Sequence, residues 1–132
     1  MSLVVLYLVS AVVFLVVDAI GLTVLLKPLF ERNLGDMLLD DVKLAPAAVF
    51  YLFYVAALTW LVTWPMLNDA PLWRIALNAA IFGAAAYGTY EFTNLATLRN
   101  WTWQMVATDV TWGTLLTAGS ATAGVLAARA IG

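Results

Sequence analysis

Leu3-Val4-Val5-Leu6-Tyr7-Leu8-Val9-Ser10-Ala11-Val12-Val13-Phe14-Leu15-Val16-Val17-Asp18-Ala19-Ile20-Gly21-Leu22-Thr23-Val24-Leu25-Leu26 is an apolar run broken by one charge, Asp18, and closed by Lys27-Pro28. About 20 residues at 1.5 Å each span a bilayer core of roughly 30 Å, so this stretch reads as a transmembrane helix. It is too long for the apolar part of a signal peptide, no basic segment precedes it and no small-residue cleavage site closes it. It is expected to be a first span rather than a leader.

Outward from that stretch the pattern repeats. Apolar runs cover about residues 46–65, 73–98 and 103–128, the second opening at Pro46, a good helix-start residue, and ending at Trp64-Pro65. Trp64, Trp73, Trp101 and Trp103 stand at span ends, where amphipathic rings favour the headgroup level. The expected fold is an all-α membrane protein, a four-transmembrane-helix bundle in a single domain over residues 1–132. Hydrophobic residues make up 64% of the chain and charged residues 11%, against about half and a quarter in soluble domains. A net charge of −2, spread over loops, leaves no basic patch for nucleic acid. The lipid bilayer is the expected partner.

The chain has no Cys and no His. That excludes disulfides, thiolate nucleophiles, Cys or His metal sites, imidazole-ligated haem and Ser-His-Asp chemistry. Carboxylates, hydroxyls, amides and aromatic rings are what is left. No cofactor is expected, and the metal question stays open.

The connections are unequal. Residues 27–45 are the longest, with Leu34, Met37, Leu38 and Leu39 spaced either for a short interfacial helix or for a solvated loop. Asn68-Asp69-Ala70-Pro71 and Arg99-Asn100-Trp101 are turns. Lys27, Arg32, Lys43 and Arg99 fall on one side and Arg74 and Arg129 on the other, which favours the basic loops inside and both termini outside.

Three carboxylates sit within the runs: Asp18, Glu91 and Asp109. An unpaired charge in hydrocarbon costs several kcal/mol, so each must be satisfied by something. At 1.5 Å per residue Asp18 lies about 13 Å before Lys27, Glu91 about 12 Å before Arg99 and Asp109 about 15 Å after Arg99, less the turn. All three share a level in the inner half of the membrane, with Tyr51 and Tyr54 near it. At 100° per residue Asp18 shares a face with Tyr7, Ala11, Phe14, Gly21 and Leu25. Glu91 does so with Ala80, Gly83, Ala84, Tyr87, Tyr90 and Asn94, and Asp109 with Trp112, Gly113, Ser120 and Gly124. Small-residue faces pack against other helices, so Asp18, Glu91, Asp109, Tyr54, Tyr90, Asn94 and Trp112 are expected to converge as a ligand- or proton-binding cluster. The structural alternative is that the acids lock the bundle through donors such as Tyr54, Tyr90, Thr93, Asn94, Thr111 and Trp112. Tyr51, Phe53 and Trp60 read as aromatic filler or lipid-facing anchors.

The segment Tyr87-Gly88-Thr89-Tyr90-Glu91-Phe92-Thr93-Asn94-Leu95-Ala96-Thr97-Leu98, followed by Trp101, resembles the signature of an uncharacterised bacterial membrane family, domain of unknown function 2177. Asp109-Val110-Thr111-Trp112-Gly113-Thr114 is similar to that family's last helix, and Phe14-Leu15-Val16-Val17-Asp18 and Phe50-Tyr51-Leu52-Phe53-Tyr54-Val55 to its first two. Where members carry an aromatic residue about three places after the first Asp, this chain has Gly21. The resemblance implies a multi-pass protein of the bacterial inner membrane and carries no activity with it.

Three functions fit these residues. A cation- or proton-coupled transporter would use the acids to exchange protons for cations and, with only four helices, would act as a homo-oligomer. An accessory or assembly subunit of a larger membrane complex could use the small-residue spacing at Gly113, Thr117 and Ala121 for contact. An intramembrane enzyme comes last, because no Lys or Arg at that depth could hold an anionic substrate.

Overall fold

The computed structural model describes residues 1–35 and 43–132, the side chain of Leu44 aside. The described residues form helices and turns, with no strand. The four long helices are α1 (Ser2–Leu34), α2 (Ala45–Met66), α3 (Leu72–Thr97) and α4 (Trp103–Ile131). Three of them, α1, α2 and α4, are long and apolar enough to cross a membrane. At 26 residues α3 has the length, about 39 Å, but a more polar sequence.

The helices run alternately up and down. Leu6, Leu67, Ile75, Val125 and Ala128 pack together, which places the start of α1, the end of α2, the start of α3 and the end of α4 at one end of the bundle. Leu29, Leu34 and Met105 pack at the other end with Phe30 and Trp101. The α4 helix is the spine, contacting both α1 and α3 along its length. Arg129 ties its last turn to the α2–α3 connection, donating from Nε to the Leu67 carbonyl at 2.8 Å and from a terminal nitrogen to the Ala70 carbonyl at 2.6 Å.

Each helix of the first pair contains one π-turn, Leu22–Leu26 in α1 and Thr59–Thr63 in α2. Each π-turn ends two residues before a proline, Pro28 or Pro65. A proline in a helix lacks the N–H for its bond and its ring crowds the preceding turn; a wider turn relieves both. Hence α1 does not stop at Lys27-Pro28, as the sequence suggests, but continues to Leu34. The extra residue in the turn also moves the buried stripe on by one. The face Ala11, Phe14, Asp18 and Gly21 would next bury Leu25; Leu26 is buried instead, and Leu25 faces out. Of the residues considered for a short interfacial helix, Leu34 closes α1, and Met37, Leu38 and Leu39 lie outside the described residues.

The outward faces are apolar. On α1, Leu8, Val12, Val16, Ile20 and Val24 form an exposed stripe at four-residue spacing. Phe53 and Trp60 on α2 are exposed, as lipid-facing rings should be, and so are Trp73 and Trp103 at span ends. Helices α3 and α4 meet closely because glycines remove side chains between them. The backbone of α4 at Gly113 and the Thr117 side chain lie where a Cβ on Gly83 would sit, and the Tyr87 ring covers Gly113.

Candidate functional site

Asp18 projects from α1 into the bundle and is 3% exposed. Its Oδ1 accepts the indole N–H of Trp112 at 3.1 Å, and the Tyr51 hydroxyl lies within hydrogen-bonding reach of the same carboxyl. The indole reaches across because it lies flat over Gly21, where any Cβ would overlap the ring. That contact accounts for Gly21, because a side chain there would displace the Trp112 ring.

Glu91 projects from α3 and is fully buried. Its Oε1 accepts the indole N–H of Trp101 at 2.9 Å. No N–H or hydroxyl reaches Oε2; the group within hydrogen-bonding reach of the carboxyl is a second acid, Asp109 of α4, itself 7% exposed. Asp109 and Trp112 are one turn apart on the same face of α4, so that face joins the Asp18 pair to the Glu91 pair. Among the described residues the one ion pair is Lys27–Glu31 at 3.8 Å, exposed and one turn apart on α1, and none of the three buried acids takes part in one.

The other candidates divide. Tyr54 is buried but bonds Thr117 at 2.9 Å, in a layer of rings that includes Phe14 at 5.4 Å, Phe82 at 5.4 Å and Tyr87 at 6.2 Å between centroids, and its hydroxyl is committed there rather than to an acid. Tyr90 is 55% exposed, on the rim rather than inside. Glu91 takes the inward direction, and Tyr90, about 100° round the helix from it, falls at the edge of the buried stripe. Tyr90 lies within hydrogen-bonding reach of the half-buried Asn94 and meets Trp101 edge-on at 5.9 Å. Ile75, Ala79, Gly83 and Glu91 form the buried stripe of α3, and Ala80 is only half-buried beside it.

Two residues join the site that the sequence did not single out. Trp101 reads as a headgroup anchor, yet its ring turns inward from the α3–α4 turn to Glu91. Tyr51 reads as filler, yet it faces Asp18. The turn itself is tight: Asn100 takes a left-handed φ of 67°, and the Thr102 hydroxyl accepts the Met105 N–H at 3.1 Å to cap α4. Tyr87 adds a buried hydroxyl without a partner. No group of three or more acidic, His or Cys residues that could hold a metal occurs among the described residues.

The Asp18–Trp112 bond can be weighed directly. Trp112→Phe keeps a ring over Gly21 and removes the donor, so the variant is expected to lose about 1 to 2 kcal/mol of stability in detergent. A double-mutant cycle with Asp18→Ala should return most of that loss as coupling. Zero coupling would mean the two side chains do not meet.

Long apolar helices with acids buried between them define an integral membrane protein. The chain belongs to the family described as "Predicted membrane protein (DUF2177)", whose model matches residues 3–126. No curated protein and no solved structure matches it.

Proposed function

We propose that this protein is a four-span bacterial inner-membrane protein in which Glu91 and Asp109 share a proton and exchange it for a cation. The carrying observation is the Glu91 carboxyl: fully buried, one oxygen without a donor, and facing another acid with no basic side chain bonded to either. Two carboxylates in contact repel each other and lose hydration together, whereas one proton between them supplies a hydrogen bond and removes a charge. A cation can substitute for that proton, which is the chemistry of a proton-coupled carrier. Four helices are few to enclose a pathway, so the working unit is a homo-oligomer. The stripe Gly113, Thr117 and Ala121, which could have served contact with a larger complex, is buried inside this chain's own bundle. Infrared difference spectra of the purified protein, recorded over about pH 5 to 9, test the shared proton through its carboxyl stretch.

The fourth span in this reading is α3. Its outward face carries Trp73, Leu77, Ile81 and Phe92, all exposed and apolar, and the one charge in its inner half, Glu91, points inward. The basic residues Lys27, Arg32, Lys43 and Arg99 then lie in the cytoplasm and both termini in the periplasm. Because the chain has no Cys, single cysteines at Asp69 and Arg99 bracket α3 cleanly. The expected result is labelling of position 69 only from outside intact cells and of position 99 only after permeabilisation. Labelling of both from one side would remove α3 as a span; reversed labelling would invert the orientation.

A further inference from the structure

Glu91 has aromatic neighbours that a proton site does not need. Trp101, on the α3–α4 turn, donates to its Oε1 at 2.9 Å. The Trp101 ring stands nearly perpendicular to Phe30 of α1, at 78° and 5.4 Å between centroids, and to Tyr90 of α3, at 84° and 5.9 Å. Rings from α1 and α3 thus flank the one indole that is bonded to the buried carboxyl.

We propose that Phe30, Tyr90 and Trp101, together with Glu91, bind a monovalent organic ammonium ion. This rests on the reading of Glu91 and Asp109 as a proton–cation exchange pair and names the class of cation. The faces of aromatic rings attract weakly hydrated cations, and a carboxylate beneath them supplies the countercharge. A metal ion suits the site poorly. Calcium takes 6–8 oxygen ligands and magnesium a near-octahedral shell; here an indole N–H is directed at one oxygen of the pair, and no third acidic side chain among the described residues joins the two carboxyls in a metal-binding group. An alkylammonium spreads its charge over its methyl groups and needs no such shell.

The approach is set by exposure. Tyr90 is exposed and Trp101 half-buried, whereas Glu91 is fully covered, so a ligand meets the rings before the acid. Trp101 touches both other rings in the free state, and an arriving cation must part it from them and take the place of its N–H at Oε1. Binding and proton release are then coupled. The charged and titratable groups around Glu91 are Asp109 from α4 and Tyr90 from its own helix, with Asp18 of α1 and Tyr51 of α2 beyond Asp109. Lys27 and Glu31 of α1 are paired with each other at the surface, and Arg99 is exposed.

The test uses the full chain in mild detergent, titrated calorimetrically with benzyltrimethylammonium chloride and, in parallel, with sodium and magnesium chloride, in two buffers that differ in protonation enthalpy. Saturable binding of the organic cation with proton release is expected. It should be lost in Glu91→Gln and weakened about tenfold or more in Trp101→Leu, the scale of one cation–ring contact. Trp101→Phe should fall between. Tyr90→Leu alters an exposed side chain and serves if Trp101→Leu fails to fold; it should weaken binding several-fold. Equal affinity for sodium or magnesium, or unchanged affinity in the Trp101→Leu and Tyr90→Leu variants, would overturn the organic-cation assignment. No binding of any cation, with the carboxyl stretch still titrating in the infrared, would overturn this inference and leave the shared proton standing. No binding and no titrating carboxyl would overturn both.

Discussion

Leucine at Gly83 is expected to keep α3 from seating on α4, at a cost of about 3 kcal/mol or more. The magnitude follows from what occupies the space. The first added carbon would stand 2.8 Å from the Gly113 carbonyl oxygen and 2.8 Å from Thr117 Cβ. The first is backbone and cannot rotate away, and the second belongs to a residue held by Tyr54. The helices must therefore separate, which also uncovers the Tyr87 ring over Gly113. Gly119 is the control on the same bundle: a Cβ there meets nothing within 4 Å, so Gly119→Leu should change stability by no more than about 0.5 kcal/mol. Unfolding curves in mixed detergent micelles check both. A Gly83→Leu variant as stable as the native chain would show that α3 and α4 do not pack on this seam.

The contrast between these glycines shows which parts of the molecule could be read in advance. Small residues at helical spacing mark a packing face, and that reasoning placed Gly83, Gly113 and all three acids inward. Composition alone cannot separate Gly113, under a ring, from Gly119, in the open, because the difference lies in what the opposite helix presents. Register failed where the helix changed its own period. The move from Leu25 to Leu26 comes from a π-turn, which is a response to Pro28 two residues after it and has no hydrophobic signature. Tyr90 stands about 100° from Glu91, and whether such a neighbour is covered depends on the width of the facing helix, as the buried pair Leu116 and Thr117 shows. Trp101 could not be placed either: a tryptophan at a span end looks the same whether its ring faces headgroups or folds back through a left-handed Asn100 to meet an acid. Tyr51 was at the right depth, but so was Tyr54, and only packing decides which hydroxyl meets Asp18.

Glutamine in place of Glu91 is expected to leave the bundle folded and to replace the shared-proton band of the pair with that of a lone Asp109 carboxyl. The amide oxygen can still accept the Trp101 N–H, and the amide nitrogen brings a donor toward Asp109, so the contact between the helices keeps a hydrogen bond without needing a proton from solution. The melting temperature should then stay within a few degrees of the native value, since about 1 kcal/mol corresponds to some 4 °C in a chain of this size. Asp109→Asn should behave alike, because either change breaks the pair between which the proton is shared. Asp18→Asn should not: the Asp18 carboxyl already accepts the Trp112 N–H, with the Tyr51 hydroxyl in reach, and its replacement leaves the Glu91–Asp109 band in place. If the acids serve only to hold the helices together, the order is reversed. Glu91→Gln and Asp109→Asn would then melt far below the native chain, and the folded fraction would retain its proton exchange unchanged. Measuring both quantities on one sample separates the two cases, because the amide keeps the shape and the hydrogen bond and removes only the ability to ionise. A pair that exchanges its proton for a cation must lose that function when either carboxyl is made neutral, however well the helices still pack.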